Sequence, residues 1–418
     1  MQIHNPKFDL DHNYSFTNDI KKIDYLKIAL SPSSFANLNK AGNIIFQNQQ
    51  SSNPLDICNA VLYYKIKIEE LAPADENTTL ENNFFPRLFE QMSLKLGTSE
   101  VENIQNPGDV STMLNFVMTD EGYKKEYGTL DGWIPDVATG DNAATNTSYA
   151  LRKSIYNKGF EGKFPLKNLF GFLQCYNRVI FLIPIELTLN RKINNDEVFY
   201  GATAASKAKI TFEEMELWIP EIRLNPVLEV KMLERLNTDK DINVAYLYRQ
   251  VAKIDIPEGA NYSWKPAFLS DRPRYIFIGF KDPVAATGTN NSKFIQKDGA
   301  ANHQIKSIRI QLNSTYYPES PMVFDSAKNY QMQPYQNYLQ MCKVFGVDPQ
   351  LNYLDFKDLY SIFCFDVSAQ DDKLASNGCD VTIHITKDTA FKAACYCLIL
   401  KESHSTINLK NGKMHMFS

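Results

Sequence analysis

The stretch KITFEEMELWIPEIRLNP, residues 209–226, decides how the chain folds around it. Apolar and polar side chains alternate as in a half-buried β-strand, but the alternation changes phase along the way. Ile210 and Phe212 share one parity, whereas the apolar residues from Met215 onward share the other. A β-bulge near Glu213-Glu214 would return all of them to one face. The stretch therefore predicts one long, bulged strand.

A helix is predicted to follow this strand at once. Asn225 and Pro226 are typical of an N-cap and a first helical residue, and apolar residues then recur at helical spacing to residue 236. The helix 226–236 divides the 418 residues into two strand-rich parts of similar size. We therefore predict an N-terminal domain of residues 1–223 and a C-terminal domain of residues 224–418 that opens with this linker helix.

Strand patterns dominate on both sides of the helix. Period-2 alternation marks half-buried strands at residues 61–68, 179–190, 305–312 and 381–387. Three further stretches are apolar at both odd and even positions, namely residues 275–280, 360–367 and 391–400. They predict strands that are covered on both faces, by a second sheet or by a partner subunit. A second helix is expected from near Pro334 to a stop at Gly346.

Three long polar stretches, at residues 72–83, 119–149 and 282–302, are predicted to be surface loops. These patterns predict a mostly β protein with two strand-rich halves, few helices and long surface loops, and two jelly rolls joined in tandem are one interpretation. An ordinary two-domain β protein is the simpler alternative, because no clear sequence repeat relates the halves.

The charge balance argues against a nucleic-acid-coating arm. The chain has 44 Lys and Arg against 48 Asp and Glu, a net charge of −4, without a block of like charge. Its longest apolar stretch, residues 179–187, is about half of what a membrane-spanning helix needs, and acidic residues occupy the place of a signal-peptide core. Seven scattered Cys without a CxxC pair indicate a reducing compartment. We expect a protein that is neither secreted nor inserted in a membrane.

Catalytic signatures are missing from the sequence. It contains no GxGxxG, P-loop, GxSxG or HExxH motif. Glu214 and Glu216 would share one strand face, as a glycosidase pair could, but that face is the polar one. We predict that the protein is not an enzyme and has no catalytic residues; a carboxylate-dependent β-sandwich hydrolase is the weaker alternative.

Metal sites find little support either. Asp239, Asp241 and Asn243 open like a calcium loop, yet Val244 stands where Gly is expected, so a solvated turn is favoured. His384 alternates with apolar residues and is interpreted as a strand residue on a polar face. Cys395 and Cys397 are interpreted as buried, inert thiols. No metal, cofactor or cofactor-binding residue is predicted. The segment Asp271–Tyr275, with two Arg, is either a small anion-binding corner or a turn.

The order of these strands and linkers resembles the double jelly-roll major capsid proteins of Polinton/Maverick elements, adintoviruses and related double-stranded DNA viruses. The resemblance rests on NAVLYYKIKI at residues 59–68, the LFGFLQCYNRVIFLIPIELTLNRKINNDEVF stretch at 169–199, the quoted strand and helix start at 209–226, RPRYIFIGF at 272–280 and YSIFCFDV at 360–367. Together with the segment at residues 83–96 they span most of residues 55–405.

The resemblance implies an all-β major capsid protein with two tandem eight-stranded jelly rolls, short linker helices and long surface loops. Three chains would form a homotrimeric, pseudo-hexameric, hexon-type capsomer of an icosahedral capsid that encloses double-stranded DNA without a basic arm. Its partners would be other copies of itself, neighbouring capsomers, penton proteins and minor capsid proteins. The protein would be located in the virion capsid, which would assemble in the host nucleus or cytoplasm. The alternative of another class is a two-domain, lectin-like β-sandwich binding module without catalysis.

Overall fold

The computed structural model describes residues 20–49, 51–70, 79–138, 147–200, 208–237, 241–267, 273–281, 292–297, 303–369, 379–408 and 413–417. The strands of the first half are β1 (Ile20–Ala29), β2 (Gly42–Asn48), β3 (Val61–Glu70), β4 (Thr79–Leu80), β5 (Phe89–Leu96), β6 (Ser99–Gln105), β7 (Phe160–Pro165), β8 (Ile185–Arg191), β9 (Phe199–Tyr200) and β10 (Ala208–Leu224). Its helices are α1 (Pro32–Leu38), α2 (Phe84–Arg87), α3 (Pro107–Met118), α4 (Glu121–Glu126), α5 (Gly128–Asp131), α6 (Thr147–Lys158) and α7 (Gly171–Cys175).

Helix α8 (Pro226–Asn237) leads into the second half. The strands there are β11 (Ile242–Ile256), β12 (Asn261–Trp264), β13 (Pro273–Lys281), β14 (Ile305–Leu312), β15 (Thr315–Val323), β16 (Phe363–Asp366), β17 (Val381–Lys387), β18 (Ala393–Asn408) and β19 (Lys413–Phe417). The two remaining helices are α9 (Met332–Val344) and α10 (Tyr353–Asp358).

The two halves repeat one sheet arrangement. In the first half one sheet has the order β1-β10-β3-β7 and the other β2-β8-β5-β6, and in the second half the orders are β11-β18-β13-β16 and β12-β17-β14-β15. When the eight principal strands of each half are counted along the chain, both halves give the orders 1-8-3-6 and 2-7-4-5. Each half is thus an eight-stranded jelly roll, which confirms the predicted fold class.

The bulge that the opening stretch predicts is present in β10. The pairing of β10 with β3 shifts register between Phe212 and Glu214. As a result Ile210, Phe212, Met215 and the apolar residues beyond them are all buried in the first sandwich. The helix begins at Pro226 as expected, and Gly346 takes a left-handed φ of 72° just past α9.

Two expectations about segments are wrong in part. The strand predicted over residues 179–190 forms only as β8 from Ile185, because Leu182 has a left-handed φ of 58° and Pro184 supplies no donor. Within the loop predicted over 119–149, α4, α5 and the start of α6 are helical. The loops predicted at 72–83, 119–149 and 282–302 lie partly outside the described residues, but Phe294 in the last of them is fully buried.

The strands that are apolar on both parities are covered by the first half of the same chain. On β18, Cys395, Cys397 and Ile399 face the core of the second sandwich, whereas Leu398 and Leu400 join the core of the first. The sheet containing β11, β13, β16 and β18 therefore packs on the other sheet of the second half with one face and on the first half with the other. The contact between the two halves, here called the seam, is part of the protein's interior.

Candidate assembly surfaces

Aromatic and amide side chains tie the halves together across the seam. The Tyr338 hydroxyl of α9 donates to the carbonyl oxygen of Phe116 in α3 at 3.0 Å. The indole Nε1 of Trp133 donates to Oε1 of Gln350 at 3.0 Å, and the rings of Phe116 and Tyr360 lie 4.4 Å apart. These contacts fix the second jelly roll against the helices of the first.

A buried charge cluster also crosses the seam. Oδ1 of Asp109 in α3 accepts hydrogen bonds from Nη1 of Arg87 and Nζ of Lys281, each at 2.8 Å. The side chains of Arg87, Asp109 and Lys281 are 0%, 5% and 8% exposed. Burial by itself would raise the pKa of the Asp109 carboxyl, but Lys281 and Arg87 outweigh burial and hold that pKa below its usual range. Asp109 is therefore ionised and neutralises cations from both halves.

Asp136 repeats this arrangement elsewhere in the seam. Its Oδ1 accepts a hydrogen bond of 2.7 Å from Nη2 of Arg152 in α6. Lys293, from the second half, approaches its Oδ2 at 3.8 Å. Two carboxylates of the first half thus each pair with an Arg of their own half and a Lys of the other.

Glu102 of β6 is a third buried carboxyl at the seam. It accepts hydrogen bonds from the backbone N–H of Phe172 at 2.8 Å and of Arg249 in β11 at 3.2 Å. Burial raises the pKa of Glu102 to about 7, although the Arg249 guanidinium and the backbone donors act in the opposite direction. This carboxyl therefore titrates near neutral pH.

Apolar side chains are exposed along the margin of the first half that β1 and β2 form. β1 and β2 are the outer strands of their sheets, whereas β6, at the opposite edge, contacts β11 and β19. Ile23 and Tyr25 of β1, Phe35 of α1 and Ile45 of β2 are each more than a third exposed. We call this surface the first edge; it is an unusual concentration of exposed apolar residues for a sheet margin.

The second half has a comparable surface, here called the second edge. β15 and β16 are the outer strands of the two sheets, opposite β11 and β12, and α9 packs on both. Val323 of β15 and Met332 and Val344 of α9 are exposed. Helix α8 adds a third exposed apolar row at Val227, Val230 and Leu233.

The carboxylates considered for catalysis lie on the polar face of β10. Glu214 is exposed and lies opposite Lys65 of β3 in the sheet. Oε2 of Glu216 accepts a hydrogen bond of 2.7 Å from Nε1 of Trp218, whose ring stacks on that of Tyr63. The two acids are thus parts of an ordinary sheet surface.

The remaining sequence candidates have structural partners. His384 hydrogen-bonds through Nδ1 to Ser263 and through Nε2 to Gln311 on the outer face of its sheet, and burial lowers its pKa. Cys395 and Cys397 are fully buried and burial raises the pKa of both thiols.

Asp239 of the calcium-like turn and Asp271 and Arg272 of the basic corner lie outside the described residues. Arg274 of that corner donates to Glu402 through Nε at 3.0 Å. Asp241 accepts a hydrogen bond from Asn408 at 2.8 Å.

Within the described ranges, no group of three or more His, Cys, Asp or Glu side chains is placed to hold a metal ion. A search of the same residues also finds no helix with the length and apolar character that a membrane crossing requires.

The charge cluster around Asp109 was not anticipated from the sequence. Arg87 and Asp109 are 22 positions apart in the sequence, and Asp109 and Lys281 are 172 positions apart. No local spacing therefore connects them. The signal that was present is Lys281 directly after the apolar run of residues 275–280 at the end of β13, which is typical of a charge that finds a buried partner.

Comparisons with known proteins agree with this architecture. A model of the double jelly roll-like domain family matches residues 78–404. A search of curated protein sequences finds no match.

Among solved structures, a chain from the cryo-EM structure of the Sputnik virophage is 12% identical, with a TM-score of 0.64 over 100% of this chain and 92% of that one. VP54 of the virus PBCV-1 is 11% identical, with a TM-score of 0.61 over 98% of this chain and 99% of that one. The mavirus major capsid protein is 9% identical, with a TM-score of 0.50 over 94% of this chain and 90% of that one. At such identities the likeness concerns the fold.

Proposed function

Because the chain belongs to the double jelly roll-like domain family, we propose that it is a major capsid protein. The observation that carries this proposal is the complete repetition of the jelly roll within one chain, over a family match of residues 78–404. The full-length likeness to VP54 and to the mavirus major capsid protein supports it. The role is geometric and requires no catalytic residue and no cofactor.

The assembly unit we propose is a homotrimer, in which six jelly rolls imitate a hexagon. A closed ring needs two different surfaces on each chain that fit one another. The first and second edges meet this need, because they are apolar and exposed and belong to different halves of the chain. The first edge of one chain would pack on the second edge of the next.

Neighbouring trimers, penton proteins and minor capsid proteins are the further partners that we propose. The net charge of −4 without a basic block suits a shell that encloses double-stranded DNA without coating it. The location that follows is the virion capsid of a virus or of a Polinton- or adintovirus-like element, assembled in the host nucleus or cytoplasm. The domains we propose remain residues 1–223 and 224–418.

The test is the assembly state of the purified chain, measured by light scattering coupled to size-exclusion chromatography. We expect a particle of three times the 47.8 kDa chain mass, with a hexagonal outline in negative-stain images. A chain that stays monomeric at micromolar concentration in every salt condition would contradict the trimer.

Charged substitutions can then locate the contact. Phe35→Asp and Met332→Asp place a carboxylate in the first and second edge, at side chains that are 52% and 75% exposed. Each should abolish the trimer and leave the chain folded, since neither side chain supports the core. Leu151→Asp, on the exposed part of α6, is the matched control and should remain trimeric. Trimers in both edge variants would place the contact elsewhere.

A further inference from the structure

A cavity of about 700 Å³ opens beside the seam. Its walls come from α3, α4 and β7 of the first half, and Arg249 of β11 and Val347 close it from the second. Leu114, Met118 and Tyr127 give it an apolar side. Tyr25 of the first edge also lines the cavity. The volume is in the range of small-molecule sites.

Positive charge predominates in the lining. Lys163, Lys167 and Arg249 face the cavity together with Asp120 and Asp131, so the lining carries a net charge of +1 on a chain whose total is −4. A cleft with an excess of positive charge concentrates anionic ligands.

Each carboxylate has one oxygen engaged in a hydrogen bond, and Oδ1 of Asp131 has no hydrogen-bond partner among the described residues. Oδ1 of Asp120 caps α4 by accepting the backbone N–H of Tyr123 at 2.7 Å. Oδ2 of Asp131 accepts a hydrogen bond from the Tyr123 hydroxyl. Burial raises the pKa of Asp131 to about 6, while Lys163 and Lys167 act to lower it, so the two lysines face an acid that is bound by Tyr123.

Lys167 donates to Oδ1 of Asn59 at 3.3 Å, whereas Arg249 and Lys163 retain donors that no described residue binds. Arg249 is 1% exposed, and its Nη2 donates to Oε1 of Gln174 at 2.5 Å. Its Nε and Nη1 have no hydrogen-bond partner among the described residues. Nζ of Lys163 lies 5.0 Å from the ring centroid of Tyr127 and forms no ion pair with a described residue. Buried donors without partners cost free energy, and sites that keep them commonly receive an acceptor from a ligand or from water.

We propose that this cavity binds a small organic anion, a phosphate or carboxylate attached to an aromatic or aliphatic body. The anionic group would lie between Lys163 and Arg249, whose charge-assisted hydrogen bonds are the stronger kind. The body would pack against Tyr127, Met118 and Leu114. The inference goes beyond the capsid role. Its two anion-binding groups, Lys163 and Arg249, lie outside both edges, although Tyr25 of the first edge also lines the cavity.

Phenyl phosphate is a suitable probe, since it joins an anion to a ring. We expect isothermal titration calorimetry of the full chain to show saturable binding with one site per chain. Phenol, which lacks the anion, and inorganic phosphate, which lacks the body, should each bind at least tenfold more weakly. Equal affinity for phenol would overturn the anion site, and equal affinity for inorganic phosphate would overturn the apolar body.

Variants tie the binding to the cavity. Lys163→Met keeps the length of the side chain and removes its charge, and we expect affinity for phenyl phosphate to fall about tenfold, which corresponds to about 1.4 kcal/mol. Lys163→Arg should restore most of it. Lys392→Met is the matched control, because Lys392 forms an exposed ion pair with Glu258 on the second half, and it should bind as the parent does. A cavity that holds water alone would show no saturable heat, and unchanged affinity in Lys163→Met with an unchanged melting temperature would reject the proposal.

Discussion

Replacing Asp109 by Asn should open the seam. The substitution keeps the size of the side chain and removes the charge that Arg87 and Lys281 share, each at 2.8 Å from Oδ1. Both cations are less than a tenth exposed, so water cannot replace the carboxylate without a rearrangement of the seam. Removing one partner of a buried ion pair costs about 3–5 kcal/mol, mainly because the other charge stays buried and unpaired. We expect a loss in that range, concentrated at the seam.

Trp133 offers a local readout. It is one of three tryptophans, is 1% exposed, and its indole donates to Gln350 of the second half. In a background of Trp218→Phe and Trp264→Phe, its fluorescence during urea unfolding reports the separation of the halves. Asp109→Asn should move that transition to a lower urea concentration, by a shift that corresponds to about 3–5 kcal/mol of unfolding free energy. The dependence of the unfolding free energy on urea concentration should change little.

Two further variants complete the experiment. Lys281→Met removes the contribution of the second half and leaves the Arg87–Asp109 pair intact, so it should cost less than Asp109→Asn. Glu258→Gln breaks the exposed pair with Lys392 and should leave the Trp133 transition where it was. If Asp109→Asn shifted the transition by less than about 1 kcal/mol, the carboxylate would not be what holds these cations in the seam.

Three other outcomes follow from the structure. A Cβ on Gly171 would lie 1.9 Å from the carbonyl oxygen of Leu247 in β11. Gly171→Ala should therefore destabilise the seam by about 1–3 kcal/mol in the same Trp133 assay. A variant as stable as the parent would contradict that close approach. The pKa of Glu102 is about 7 in the folded chain, against a usual value of 4.5. The unfolded chain therefore loses this proton first, and stability should fall by about 3 kcal/mol as pH rises from 4.5 to 7. Urea unfolding at several pH values should find this slope reduced in Glu102→Gln. In the folded chain, Ellman's reagent should react readily with exposed Cys175 and slowly with half-buried Cys58. It should reach the buried thiols only after unfolding; these are Cys342, Cys364, Cys379, Cys395 and Cys397.

Local patterns were enough to predict much of the fold. The change of parity in residues 209–226 predicts the bulge of β10 because side chains on a strand alternate strictly between faces. Asn225-Pro226 predicts the start of α8 for an equally local reason. Helix α3 was missed although it opens with the same Asn-Pro pair, at Asn106 and Pro107, because it is buried nearly all around and so lacks an amphipathic stripe.

The seam could not be derived in this way. Strands apolar on both faces require a cover, but the pattern does not name it, and the cover of β13 and β18 proved to be the other half of the same chain. The pairing of Asp109 with Lys281 joins residues 172 positions apart, and the cavity is lined by residues from Tyr25 to Val347. Such sites arise from the packing of whole jelly rolls, which single-strand patterns leave undetermined.

The double burial of β18 has a consequence for biosynthesis. A ribosome completes the first jelly roll before it makes β13 and β18, so their second apolar face emerges onto a docking surface that is already folded. The earlier domain thus serves as an intramolecular chaperone for the later one. Expressed from a separate gene, the second domain would present this face to other copies of itself, and aggregation would compete with folding. Covalent linkage of the two jelly rolls therefore secures an order of folding as well as a fixed stoichiometry.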